Sequence, residues 1–237
     1  MIPRVSTNRA VCAQPLLRLC TLLCGVFCAL PPSCASAERV SESRAADEYS
    51  AIAAELREME RVDQELRMRW IGLGAGATLE LEKEIEAVDR SNTRRLKQIV
   101  AEIGWPGRSQ VGAEASHSAW LLVQHADLDP EFQAQALALI EPLAAHGELE
   151  PSECALLTDR VLVAQHRPQR YGTQYKIVRR EGVTYFGPST PIEEPAELDL
   201  RRARVGLEPI EEYLATLREL FHVPADARPL GSDELDG

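Results

Sequence analysis

Between Arg44 and Trp70 the apolar residues Tyr49, Ile52, Leu56, Met59, Leu66 and Trp70 recur at alternating steps of three and four. That period gathers them on one stripe of a helix. Position 63 falls on the same stripe and carries Asp63. The glycine-rich IGLGAGA after Trp70 predicts a turn. A second helix is predicted from about Thr78 to Ile103, with Leu81, Ile85, Val88, Leu96, Ile99 and Ile103 as its stripe and Asn92 interrupting it. Gly104 ends this helix, and Trp105-Pro106-Gly107 prevents its continuation.

From Ala113 to Ala126 the segment AWLLV is apolar on every side for more than a turn, which predicts a central, enclosed helix with Gln124 and His125 near its end. Asp129 is placed to cap the next helix and Pro130 to occupy its first position. Pro151 opens another helix, in which Asp159 and Arg160 interrupt an almost entirely apolar run. Beyond Pro168 the period changes to two around Gly182, predicting a β-hairpin from about Gln174 to Arg179 and from Val183 to Phe186. Pro195 and Pro209 each start a further helix. The expected fold is mainly α, a single helical domain over residues 44–222 with six or seven helices and one small β-hairpin, followed by a disordered acidic tail over 223–237.

The beginning of the chain reads differently. Residues 1–37 contain Arg4, Arg9 and Arg18 and no acid, then an apolar run from Leu19 to Leu30, two prolines, and small residues at Ala35 and Ala37. This is the three-part pattern of a secretory signal peptide, and the run is too short to span a bilayer. Export with cleavage near Ala37, to a periplasmic or secreted location, is the expectation. Cys34 raises a lipid anchor as the alternative, but Pro31, Pro32 and Ser33 do not resemble the usual approach to a lipidated cysteine. Five of the six cysteines lie in this leader, leaving Cys154 and no internal disulfide.

Removing the leader moves the formal net charge from −11 to −14. So acidic a chain is a poor partner for nucleic acid or anionic lipid, both of which require basic patches. The candidate chemistry lies in polar residues at or beside apolar stripes: Asp63, Asn92, His125 and Asp159, with Gln124, Gln133, Arg160, Tyr171 and Gln174 close in sequence or in expected space. A buried polar group without a partner costs about 1–3 kcal/mol, so the economical arrangement is for these groups to meet. One reading makes them a pocket for a small or peptide-like molecule. A second makes them a hydrolase, with His125 as general base or acid, Asp159 or Asp63 orienting it, and Arg160 or Gln174 stabilising an anion. A third leaves the cluster structural, with Asp63 and Arg160 as a buried ion pair and Asn92 setting register, and gives the acidic surface a protein partner, as in an immunity-type protein.

Other chemistry finds little footing. His125, Asp127 and Asp129 lack any usual metal-ligand spacing, so neither metal nor cofactor is expected. No G-x-S-x-G or phosphate loop is present, and Cys154 has apolar neighbours that disfavour a thiolate.

The strings AWLLVQHADLDPEFQ (Ala119 to Gln133), LTDRV (Leu157 to Val161) and QRYGTQ (Gln169 to Gln174) resemble a bacterial domain family of unknown function. So do the pair Asp63-Gln64, the spacing of Asp89 and Asn92, Gly104 to Pro106, and the stretch from Asp199 to Leu207. The resemblance runs from about Ala45 to Leu217. It implies that these polar residues belong together and implies no particular activity.

Overall fold

The computed structural model describes residues 33–74 and 77–230. The chain divides into two compact units, Met1–Ser41 and Glu42–Gly237, and the second contains the hydrophobic core and the sheet. The leader's apolar run lies outside the described residues; the first helix begins after it, at Ser33. Among the described residues no helix is long and apolar enough to cross a membrane.

Eight α-helices and a three-stranded sheet make up the described residues. Helix α1 (Ser33–Leu73) starts well before the predicted Arg44. Its stripe is as expected: Ile52, Leu56 and Leu66 are buried, and Asp63 is buried with them at 2% exposure. Helix α2 (Leu79–Ile103) is capped by Thr78, whose hydroxyl accepts from the Leu81 amide at 3.2 Å, and ends at Gly104. The short α3 (Arg108–Val111) was not legible in the hydropathy pattern, because four residues are barely one turn.

Helix α4 (Ala113–Gln124) is the enclosed helix that its apolar sequence predicts. It contacts α2, α3, α5 (Pro130–Ala145) and α6 (Pro151–Ala164). Ala115 and Ala119 are fully buried, and such small side chains let neighbouring helices approach closely. The core closes around α4 with Leu56, Leu96, Ile99, Ile140 and Leu157, all fully buried. Asp129 caps α5 as expected, accepting from the Phe132 amide at 3.0 Å.

The hairpin pairs β1 (Tyr175–Arg180) with β2 (Val183–Pro188), antiparallel, through a two-residue turn at Glu181-Gly182. Both turn residues have positive φ, 51° and 77°, as the tightest hairpin turns demand. A third strand, β3 (Arg228–Pro229), pairs parallel with β2 and lies within the stretch expected to be a disordered tail. Its two residues and its proline carry no strand signal in the sequence. Between hairpin and tail come a 3₁₀ turn (Pro195–Glu197), α7 (Leu198–Arg204) and α8 (Ile210–Leu220).

Leu96 is fully buried in a core cluster that includes no residue of the hairpin or of α8. Leu96→Ala is expected to lower stability by about 2–5 kcal/mol, read as a fall in the urea midpoint at unchanged slope. A loss under about 1 kcal/mol would mean that this core is loosely packed.

Candidate functional site

Asp63 is the centre of a polar network inside the helical body. Its side chain is 1% exposed, and Arg67, one turn further along α1, donates from Nε to Oδ1 at 3.0 Å. Gln64 donates to Oδ2 at 2.9 Å, and His125, the residue that closes α4, meets the same oxygen through Nδ1 at 2.9 Å. Arg67 also reaches Asp89 on α2, so three helices are joined through this network.

Burial by itself raises the pKa of the Asp63 carboxyl. The bond from His125, the charges of His125 and Arg67, and the Gln64 amide outweigh it, and the pKa lies below the ordinary 3.8. At Asp89 burial prevails over Arg67, and the pKa lies above that value. Asp63 is therefore the ionised member, so Nδ1 of His125 is the donor in their bond. This fixes the tautomer and leaves Nε2 as the ring nitrogen available to another molecule.

His125 lies on the wall of a cleft of about 390 Å³, a volume in the range that holds a small molecule. The helical side supplies Trp70, Trp120, Gln124 and Arg160; the other side is built by Tyr175 and Phe186 of the hairpin and Tyr213, Leu217 and Phe221 of α8 and its end. Trp120 is fixed by its indole N–H, which donates to the Glu153 carbonyl at 2.8 Å. Tyr175 stacks on Phe186 with ring centres 5.4 Å apart, and burial pushes its hydroxyl pKa up to about 12, so it stays protonated. The Tyr213 hydroxyl donates to the Thr173 carbonyl at 2.7 Å, tying α8 to the loop before the hairpin.

The sequence-predicted residues divide into three groups. His125, Gln124, Arg160 and Gln174 line the cleft, and Asp63 supports it from behind His125. Asp159 does not orient His125. Its two oxygens accept from the amides of Arg170, Tyr171 and Thr173 and from the Thr173 hydroxyl, at 2.7–3.1 Å, and the side chain is wholly buried. Tyr171 enters through its backbone, donating to Asp159 and accepting from Arg202. Gln133 satisfies the last carbonyls of α4, donating to Val123 and Gln124 at 3.2 Å each. Asn92 is buried but is not among the residues lining the cleft. The Asp63–Arg160 ion pair expected as an alternative does not form: Arg160 instead binds Gln124 at 2.9 Å and Asp127 at 2.7 and 2.8 Å.

Arg67 is not among the candidate site residues, and Arg202 falls within the stretch from Asp199 to Leu207 that carries the resemblance without a role assigned to it. Arg67 was detectable, since an arginine four residues after a stripe aspartate is placed to pair with it. Arg202 is fully buried, and its guanidinium donates to the carbonyls of Glu208 and Tyr171 at 2.6 and 2.7 Å while lying over the Tyr213 ring. Burial lowers its pKa. Nothing in the local pattern of α7 marks it as an inward-facing cation. Among the described residues no group of histidine, cysteine and acidic side chains is arranged to hold a metal ion.

Two predictions separate the carboxylates. Asp159→Ala leaves three backbone N–H groups without their acceptor and is expected to cost about 3 kcal/mol or more, whereas Asp127→Ala, at an exposed ion pair, is expected to cost under about 1 kcal/mol in the same chemical denaturation assay. Because the folded-state pKa of Asp63 is depressed, its stabilising contribution is complete above the ordinary aspartate pKa and is lost as the pH falls through the folded value. Urea midpoints measured from about pH 5 down to about pH 2 are expected to fall less steeply in Asp63→Asn than in the wild type. Parallel acid limbs would show that Asp63 is not held ionised by its neighbours.

No curated protein and no solved structure matches the chain. Residues 50–224 match a family model, and that span takes in Asp63, His125, Asp159, Arg202 and every residue of the cleft wall. The chain belongs to the family of unknown function DUF6624.

Proposed function

We propose that this protein is exported and that its helical domain binds a small or peptide-like molecule in the cleft, with His125 as the polar anchor. The observation that carries the reading is the bond between His125 Nδ1 and the buried Asp63, which leaves Nε2 for a partner on a wall otherwise rich in aromatic rings. Burying a carboxylate costs several kcal/mol before compensation, and an apolar residue at position 63 would fill the stripe at no such cost. A fixed imidazole at the edge of a cleft is a return that packing alone does not provide.

The same pair favours one second reading, a hydrolase in which His125 is the general base that activates water. A carboxylate on Nδ1 stabilises the imidazolium formed when Nε2 takes a proton. In that version Asp63 is the positioning residue, and Asp159 holds the loop from Gln169 to Gln174 without touching the reaction.

A thermal-shift screen of the purified protein against cell-wall fragments, sugars, nucleotides, amino acids and hydrophobic acids tests both. A binder is expected to raise Tm in the wild type and to lose most of that shift in His125→Ala that retains its fold by circular dichroism. Turnover of that binder, abolished in both His125→Ala and Asp63→Asn, would select the hydrolase. If no compound shifts Tm, the binding reading fails and a protein partner for the acidic surface takes its place.

A further inference from the structure

The chain carries 37 acidic residues, yet none of the fifteen residues lining the cleft is acidic. The basic side chains on that wall are Arg160 and His125. Asp127 and Asp63, which pair with them, are not lining residues. Two further guanidinium groups lie over aromatic rings of the wall, Arg218 over Phe186 at 4.7 Å and Arg202 over Tyr213 at 4.9 Å. Arg202 is fully buried and bonds carbonyl oxygens rather than a carboxylate.

Two donors on the wall are also left unused. Gln124 is 4% exposed, and its Nε2 has no partner among the described residues. The amide cannot be turned around to relieve this, because its oxygen already accepts from Arg160 Nε at 2.9 Å. Arg160 spends Nε on Gln124 and Nη1 on the exposed Asp127, and no bond to its Nη2 is made by the described residues. Unused donors beside a wall without acids call for an acceptor that carries negative charge.

The helix geometry limits how much charge. The C-terminus of α4, at Gln124 and His125, borders the cleft and brings the negative end of the helix dipole, only partly offset by the Gln133 amide on its last carbonyls. A single negative charge fits this balance better than a doubly charged phosphate. The remaining wall is mostly aromatic or aliphatic, with Trp70, Trp120, Tyr175, Phe186, Tyr213 and Leu217, and carries Thr173 and Gln174 as its other polar side chains.

We propose that the ligand is an amphipathic monocarboxylate, its aromatic or aliphatic body packed among these rings and its carboxylate held by Arg160 and the Gln124 amide. The proposal rests on the reading of the cleft as a binding site and names the class of molecule bound there. The probes are 4-phenylbutyrate and decanoate, each compared with its primary amide and its primary amine by isothermal titration calorimetry on the purified protein.

Each acid is expected to bind about tenfold or more tightly than its amide, with the amine weakest. Arg160→Gln is expected to bring the acid to the level of the amide and to leave the amide unchanged. Asp127→Asn, which releases Arg160 from its exposed partner, is expected to strengthen acid binding several-fold, and serves as the test if Arg160→Gln does not fold. Amide binding equal to acid binding, or equal loss of both in Arg160→Gln, overturns the carboxylate assignment and leaves the cleft a binding site for neutral molecules. Absence of binding by all three head groups overturns both this assignment and the binding-site reading beneath it.

Discussion

A buried carboxylate must find donors or give up its charge, and the way Asp159 finds them organises this molecule. Its donors are the backbone amides of residues 170, 171 and 173, so the penalty of burying it is converted into a fixed path for the loop that leaves the helical body. The turn at Gly172, with φ of 61°, follows from that path, and a Cβ there would meet Ile192 at 2.9 Å. The carbonyls on the other side of the same turn accept from Arg202, which brings α7 against the loop. Tyr213 then bonds Thr173 and carries α8 into place. The wall of the cleft opposite His125 is thus held through a chain of bonds that starts at one oxygen pair on α6.

Asp63 solves the same problem in another way. It collects side chains instead of amides, and each of those side chains belongs to a helix that packs in the core. Where Asp159 shapes backbone, Asp63 shapes a titratable ring. Burial keeps the carboxyl of Asp159 above its ordinary pKa despite its bonds, whereas at Asp63 the bond and charge of His125, with Arg67 and Gln64, prevail. The difference lies in the balance of burial against donors: at Asp159 burial outweighs backbone amides and one hydroxyl, whereas at Asp63 it is outweighed with a guanidinium among the neighbours.

Much of the helical body is legible in the sequence because its signals are local. The stripes of α1 and α2, the all-round apolarity of α4, the Asp129 and Pro130 start of α5 and the Glu181-Gly182 turn are each set by neighbours within a few residues. Asp63 and His125 stood out because a polar residue on an apolar stripe breaks a period. What could not be read is which buried groups would meet. Asp159 and Asp63 break their stripes in the same manner, and only the crossing of helices decides that Asp63 reaches His125. β3 and the inward-facing Arg202 are fixed by long-range packing and leave no periodic trace. The aromatic wall was similarly hidden, since Tyr175, Phe186 and Tyr213 read individually as ordinary hairpin and helix residues.

The position of β3 bears on how the molecule comes into being. Tyr185 of β2 lies opposite Arg228, so the middle strand of the sheet waits for residues far along the chain before its second side is covered. By Ala164 the ribosome has delivered every helix that surrounds α4, while the residues of the far wall run on to Phe221. Contacts between distant segments form late because closing a long loop costs entropy before any contact repays it. The scaffold that fixes the imidazole is therefore complete in sequence while the residues of the far cleft wall are still to come, and that wall is among the last features the nascent chain can form.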